Sequence, residues 1–205
     1  MNRISRSALV FGIAAAVLMT GCATTKITSA WKEPSYQAKP QKVMIIGIVK
    51  ELVNRRILEE EFARQLKARG NEAMASYTVI PDEKETDDKL IAAQMKEQGA
   101  DAVLITRLAK KETVYTYAPG CRYYPPSYYG TWHDYYVYGC QDMYSPGYMA
   151  EDQYAFMETN LYDAGKDNLV WSASSKTEVM NSDQGFTKSY VEAMIKKMAA
   201  QKLIK

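Results

Sequence analysis

The residues best equipped for covalent chemistry in this 205-residue chain are its three cysteines, Cys22, Cys121 and Cys140. Cys22 closes the run Leu18-Met19-Thr20-Gly21-Cys22, behind the cations Arg3 and Arg6 and an uncharged stretch from Ala8 to Met19. That stretch has the length of a secretory signal's apolar core and is too short for the ~20 residues of a spanning helix. Thr20 and Gly21 are small enough for extended backbone to enter a peptidase cleft, and the thiol that follows them can be acylated. Cys121 and Cys140 then belong to a chain that folds outside the cytoplasm, where a disulfide between them persists. Closing that loop stabilises by about 3 kcal/mol in the chain-entropy model. The rival reading, a metal site on the two thiols, lacks a CxxC pair, a histidine cluster and a set of acidic neighbours. No metal and no cofactor is expected.

Acid–base catalysis would have to draw on one histidine, His133, which stands beside Asp134. No GxSxG elbow supplies a nucleophile for it, and no HExxH motif occurs. Gly47 is followed by Ile48-Val49-Lys50, without the second glycine or the Lys-Ser/Thr ending of a phosphate loop. His133 therefore reads as a solvent-facing loop residue. The triplet Glu59-Glu60-Glu61 and the pair Asp87-Asp88 each fall near an expected helix start. Carboxylates there complement the helix dipole, so both groups are expected on solvated faces. A carboxylate pair of the glycosidase kind leaves no linear signature. A cell-wall or glycan-acting enzyme with such a site is thus the alternative to the preferred reading, which is not an enzyme.

The preferred reading rests on aromatics. Most of the chain's 16 tyrosines fall between Tyr115 and Tyr148, together with Trp132, several prolines and the two cysteines. Tyr123, Tyr124, Tyr128, Tyr129, Trp132, Tyr135, Tyr136 and Tyr138 form the candidate binding surface. Phenol rings combine a flat apolar face with a polar tip, which suits wet recognition at low entropic cost. Pairs of tyrosines separated by Pro or Gly are not expected to build a regular helix. A long loop or twisted hairpin, pinned by Cys121 and Cys140, is expected instead. It either contacts an envelope protein or glycan, or packs its rings on each other over a sheet end.

The elements that must hold this insertion follow from hydrophobic periodicity. Residues 1–21 read as a signal peptide. Residues 22–41 read as a polar tether, within which Ile27 to Trp31 could pair as a short strand. Val43 to Val49 is a continuous apolar run that suits a strand covered on both faces. A helix capped by Asn54 follows, with Leu58, Phe62 and Leu66 as its stripe and Gly70 in the left-handed position beyond its end. A strand is expected from Ala73 to Ile80, then a helix opened by Thr86 or Asp87 and stopped by Gly99. Ala102 to Thr106 begins a third strand that continues as a ribbon through Val114 and Tyr117. Gln153 to Tyr162 and the segment opening Leu169-Val170-Trp171 pair as strands. A last helix, opened by Ser182 or Asp183, buries Tyr190, Val191, Met194, Ile195 and Met198. The order predicts one α/β (α+β) domain over 42–205, with a mixed sheet of about five strands, about three helices packed on it, and the Tyr-rich insertion at about 118–149.

Loss of Arg3 and Arg6 with the signal would leave 24 basic residues against 24 acidic ones. A neutral domain carries no electrostatic footprint for nucleic acid. The run ending in Cys22 resembles the lipobox of bacterial lipoproteins, with Met19 where Leu is usual. With it, several motifs resemble a family of Gram-negative bacterial lipoproteins: Ala30-Trp31-Lys32-Glu33-Pro34, the Val43–Val49 strand, Asn54-Arg55-Arg56 with Glu60-Glu61-Phe62, Ala100-Asp101-Ala102-Val103-Leu104, and Leu169-Val170-Trp171-Ser172. The element order is similar to the small α/β domain at the N-terminus of the Tol system's propeller protein. It is also similar to the domain in curli-secretion and peptidoglycan-synthase-activating lipoproteins. The resemblance implies a non-enzymatic interaction role in the periplasm and supplies no catalytic residues. Ala23 after the modified cysteine, where Asp would imply inner-membrane retention, implies a lipid anchor in the outer membrane, on its periplasmic face.

Overall fold

Val43, Met44, Ile45 and Ile46 point alternately to opposite faces of a sheet, and all four are buried, so the strand carrying them needs cover on both sides. The computed structural model, which describes residues 25–81, 87–118, 130–143, 146–179 and 183–205, supplies that cover with helices. Six strands form one mixed sheet: β1 (Thr25–Lys32), β2 (Lys42–Ile48), β3 (Glu72–Ala75), β4 (Ala102–Ala118), β5 (Tyr148–Asp163) and β6 (Asn168–Glu178). Their spatial order is β1-β6-β5-β4-β2-β3. β2 runs parallel to β3 and β4, and the other neighbours are antiparallel. The helices are α1 (Leu52–Ala68), α2 (Asp88–Glu97), α3 (Trp132–Met143) and α4 (Asp183–Ala200).

α1 and α4 cover one face. Leu58, Phe62 and Leu66 of α1 meet Tyr190, Val191, Met194, Ile195 and Met198 of α4 over Val43, Ile45, Leu104, Leu161 and Trp171. Both helical stripes are those the periodicity predicts. Phe62 stands edge-on to Tyr190, with ring centroids 5.9 Å apart. α2 covers the other face through Leu90, Ile91 and Met95 over Met44, Ile46 and Val103, and none of its side chains is fully buried. The Asp87 side chain accepts from the Leu90 N–H at 3.1 Å, which caps α2 as expected. Gly70 and Gly99 adopt φ of +81° and +64° just beyond α1 and α2, a conformation that a Cβ would strain.

Four local expectations are corrected. Residues 25–32, read as tether apart from a possible short strand, form the edge strand β1 on β6. The strand expected over Ala73–Ile80 stops at Ala75, and Ser76–Thr78 turns into a 3-10 helix. α1 opens at Leu52 after Glu51, without a side-chain cap, rather than at Asn54. Glu59 is not solvated: it is wholly buried, as is Arg55 one turn earlier.

The early end of β3 and the burial of Glu59 share one cause. Glu59 Oε1 accepts from the Gly47 N–H at 2.9 Å, Arg55 Nε at 3.0 Å and the Ser76 hydroxyl at 2.8 Å. Its Oε2 accepts from the Tyr77 N–H at 3.0 Å. Arg55 also donates to the Ser76 hydroxyl, at 2.9 Å. One carboxylate thus satisfies backbone at the end of β2 and in the turn after β3, bending the chain away from the sheet at Ser76. A buried charge persists only when paired and hydrogen-bonded in this way. Glu60 is exposed, and half-buried Glu61 pairs with Arg64 at 2.6 Å. The Arg64 guanidinium holds the Glu61 carboxyl below its usual range, partly opposed by burial.

Candidate functional site

The pairing of β4 with β5 outruns the rest of the sheet. Thr25 of β1, Thr177 of β6, Ala155 of β5 and Lys111 of β4 lie in one row across the strands. One pair further Tyr154 still meets Glu178 of β6, and β4 and β5 then continue as a two-stranded ribbon from Thr113↔Gln153 to Ala118↔Tyr148. Ala118 lies seven residues beyond Lys111, so at ~3.4 Å per residue the ribbon reaches about 24 Å past that row. A bulge between Leu108 and Lys110 marks its root, where an added residue increases twist and re-aims the strand. The alternating Lys110-Lys111-Glu112-Thr113-Val114-Tyr115-Thr116-Tyr117 sequence suits a two-stranded ribbon wet on both sides, and most of these residues are exposed.

Toward its outer end the ribbon loses charge and gains rings. Tyr115, Tyr117 and Met149 are exposed, and Tyr148 is 65% exposed. The Tyr117 ring lies across Gly147, close enough that a Cβ there would meet its hydroxyl. The three outermost pairs, Thr116↔Ala150, Tyr117↔Met149 and Ala118↔Tyr148, hold no ionisable acid or base other than phenols.

The segment joining the two ribbon strands carries α3, which corrects the expectation that the insertion is only a long loop or twisted hairpin; the tyrosine pairs 123–124 and 128–129 lie outside the described residues. Pro125, Pro126 and Gly130 all precede Thr131, and Pro146 and Gly147 follow Met143, so the helix fits between the breakers. Thr131 opens it. Its hydroxyl accepts from the Asp134 N–H at 3.1 Å and donates to Asp134 Oδ2 at 2.7 Å. Asp134 is thereby engaged at the cap. His133 is exposed on the helix and lies edge-on to Trp132, 5.7 Å between ring centroids. Trp132, Tyr135 and Tyr136 recur at helical spacing and so share a face. All three are exposed, Trp132 by 79%. Tyr138 is half-buried.

Of the residues singled out from sequence, Trp132, Tyr135, Tyr136 and Tyr138 are therefore brought together on α3, and Cys140 belongs to the same helix. Cys22, Cys121, Tyr123, Tyr124, Tyr128 and Tyr129 lie outside the described residues. Tyr115, Tyr117, Tyr148 and Met149 were missing from that set. The signal for them was the strand alternation that continues on both sides of the insertion.

More apolar surface gathers at the ribbon's root. Ile48 ends β2 and is 52% exposed, while Leu52 and Val53 open α1, Val53 at 68% exposed. A cleft of about 120 Å³ opens there between the first turns of α1 and α4, lined by Val49, Leu58, Leu108, Met157, Phe186 and Lys111. Glu51 is the carboxylate on its wall. Among the described residues no three His, Cys, Asp or Glu side chains gather closely enough to hold a metal ion.

Fold and site together define a single α/β domain, with a mixed six-stranded sheet covered on both faces and an aromatic ribbon rising from one end. Solved structures similar to it include the PelC dodecamer from Paraburkholderia phytofirmans, at 14% identity and a TM-score of 0.44 over 84% of this chain and 96% of that one. Lipoprotein GNA1162 from Neisseria meningitidis is similar at 15% identity and a TM-score of 0.43, over 78% of this chain and 99% of that one. No protein-family model matches the chain, and no curated protein does.

Proposed function

We propose that this chain is a non-catalytic lipoprotein of the outer membrane's periplasmic face, acylated on Cys22, which engages another component of the envelope through its aromatic ribbon. The observation that carries the reading is the ribbon itself. A two-stranded extension gains nothing from the core of its own domain, so the exposure of Tyr115, Tyr117, Tyr148 and Met149 is unexplained by core packing among the described residues. Scattered apolar residues need no explanation, but rings concentrated on one protrusion mark an interaction surface. Tyrosine and tryptophan supply contact area with few rotatable bonds, so little entropy is lost on contact. The carboxylates best placed for chemistry serve the fold: Glu59 holds a turn, and Asp134 and Asp87 serve helix starts. The run before Cys22 supports export and lipid attachment.

Photo-crosslinking tests the proposal. A benzophenone amino acid replaces Tyr136 on α3 or, as a control, Lys89 on α2, and intact cells are irradiated. The proposal expects envelope adducts from position 136 and none from position 89. Absence of adducts from position 136, and equally from positions 117 and 148, in correctly folded protein would overturn it.

A further inference from the structure

Of the surfaces searched, the ribbon end carries an inference furthest, because it is also the end where the chain enters the fold. β1 runs antiparallel to β6, and Thr25 pairs with Thr177, at the end of β6 nearest the ribbon. Extended backward from Thr25, β1 points the way the ribbon points. Cys22 precedes Thr25 by three residues, which span at most ~11 Å. That is less than half of the about 24 Å by which the ribbon reaches past the row of Thr25. A tether so short cannot hold a ribbon that points the same way clear of the surface in which Cys22 is moored. The edge strand has consumed the slack that a polar tether over 22–41 would have provided.

The distribution of exposed apolar side chains agrees. Ile48, Leu52, Val53 and Leu108 lie around the ribbon's root, and Tyr115, Tyr117, Tyr148 and Met149 on the ribbon itself. Among the described residues Trp31 is the one large exposed apolar residue toward the opposite end of the sheet, where it pairs with Ser172. The chemistry also fits a bilayer interface. Tyrosine and tryptophan are the residues enriched at headgroup level, where the ring is apolar and its polar tip wet. The three charge-free outer pairs extend about 10 Å, matching the 5–10 Å to which interfacial segments bury their apolar faces. Charge returns at Glu151 and Asp152, just inside that depth, and again at Glu112 nearer the root. The Trp132, Tyr135 and Tyr136 face of α3 repeats the same composition on a helix.

We propose that the occupant of the aromatic ribbon is the lipid bilayer that holds the Cys22 anchor. The ribbon's outer end and α3 rest in the headgroup layer as a second, protein-made contact, and the domain is held at a fixed tilt. This deepens the reading above and rests on acylation at Cys22. Acyl chains alone would leave the domain swivelling on its tether, whereas two separate contacts fix which face is presented to the periplasm.

The test uses the full mature protein purified with its lipid and reconstituted in phosphatidylethanolamine–phosphatidylglycerol vesicles with brominated acyl chains. Trp31→Phe removes the exposed indole elsewhere, and Trp171 is buried and silent to lipid. The remaining Trp132 emission is expected to fall by about half relative to unbrominated vesicles, as for an indole at headgroup level. Tyr148→Trp, in a background with Trp132→Phe, is expected to do the same from the ribbon's outer end. An acylated protein whose two reporters stay unquenched and accessible to iodide would overturn the bilayer contact and leave lipid anchoring standing. Reporters shielded from iodide in native envelopes but not quenched by brominated lipid would overturn it in favour of a protein or glycan partner. An intact mass without acyl chains would overturn both the anchor and the contact built on it.

Discussion

Replacing Glu59 by alanine tests the buried hub on which the ribbon-bearing end of the sheet depends. The carboxylate accepts hydrogen bonds from Gly47, Arg55, Ser76 and Tyr77. Its removal takes a paired carboxylate away from the wholly buried Arg55 guanidinium and strands two backbone N–H groups, those of Gly47 and Tyr77. Breaking a buried ion pair from one side costs about 3–5 kcal/mol, much of it the penalty of the charge left behind. Against a total stability of about 5–15 kcal/mol for a domain, that is a large fraction. At about 2–4 °C per kcal/mol for a chain of this size, the melting temperature should fall by roughly 10–15 °C. Urea unfolding followed by circular dichroism measures the difference directly. The paired change Glu59→Leu with Arg55→Met removes both charges together and should cost less than the two single changes summed, because they share one network. A loss under about 1 kcal/mol for Glu59→Ala, the value of an exposed pair, would refute the assignment of a desolvated hub.

Three further outcomes are expected. The Tyr190 hydroxyl is buried between Thr106 and Thr159, and burial pushes its pKa up to about 12 from 10.0. The folded state therefore keeps a proton that the unfolded chain releases, so this contribution is intact below pH 10 and is lost as pH rises to about 12. The loss is about 2–3 kcal/mol, and Tyr190→Phe should abolish that part of the alkaline decline in denaturation curves taken across the window. Asp87→Ala should cost about 1 kcal/mol through the lost cap of α2, and Gly99→Ala about as much through its positive φ; urea midpoints check both. Thiol titration of the exported protein, denatured without reductant, should find Cys121 and Cys140 unreactive, whereas two free thiols would refute the expected disulfide.

What could be read in the residues was what local patterns determine. The Val43–Val49 run, the Leu58-Phe62-Leu66 stripe, the Tyr190–Met198 stripe and the glycines after α1 and α2 each state their own environment. So the α/β class and most of the element order were legible, although the described residues form six strands where about five were expected and four α-helices where about three were. What escaped depends on distant partners or on exact spacing. Glu59 looks like its neighbours until β2 and the turn after β3 meet around it. Thr25 to Lys32 is polar enough for a linker and becomes a strand only because β6 offers an edge. α3 is hidden by the breakers around it, though Thr131 and Asp134 carry its start signal. For the site, the aromatic excess was plain. Its placement on the end of the sheet where β1 begins was not, because only the strand register orients the ribbon relative to Thr25.

The measurement bearing most directly on the central claim is the intact mass of the protein isolated from its native envelope. Mooring through Cys22 predicts a chain that begins at that residue and carries acyl chains on it. A chain retaining residues 1–21, with no acyl mass, would contradict it and leave the ribbon without a bilayer to face.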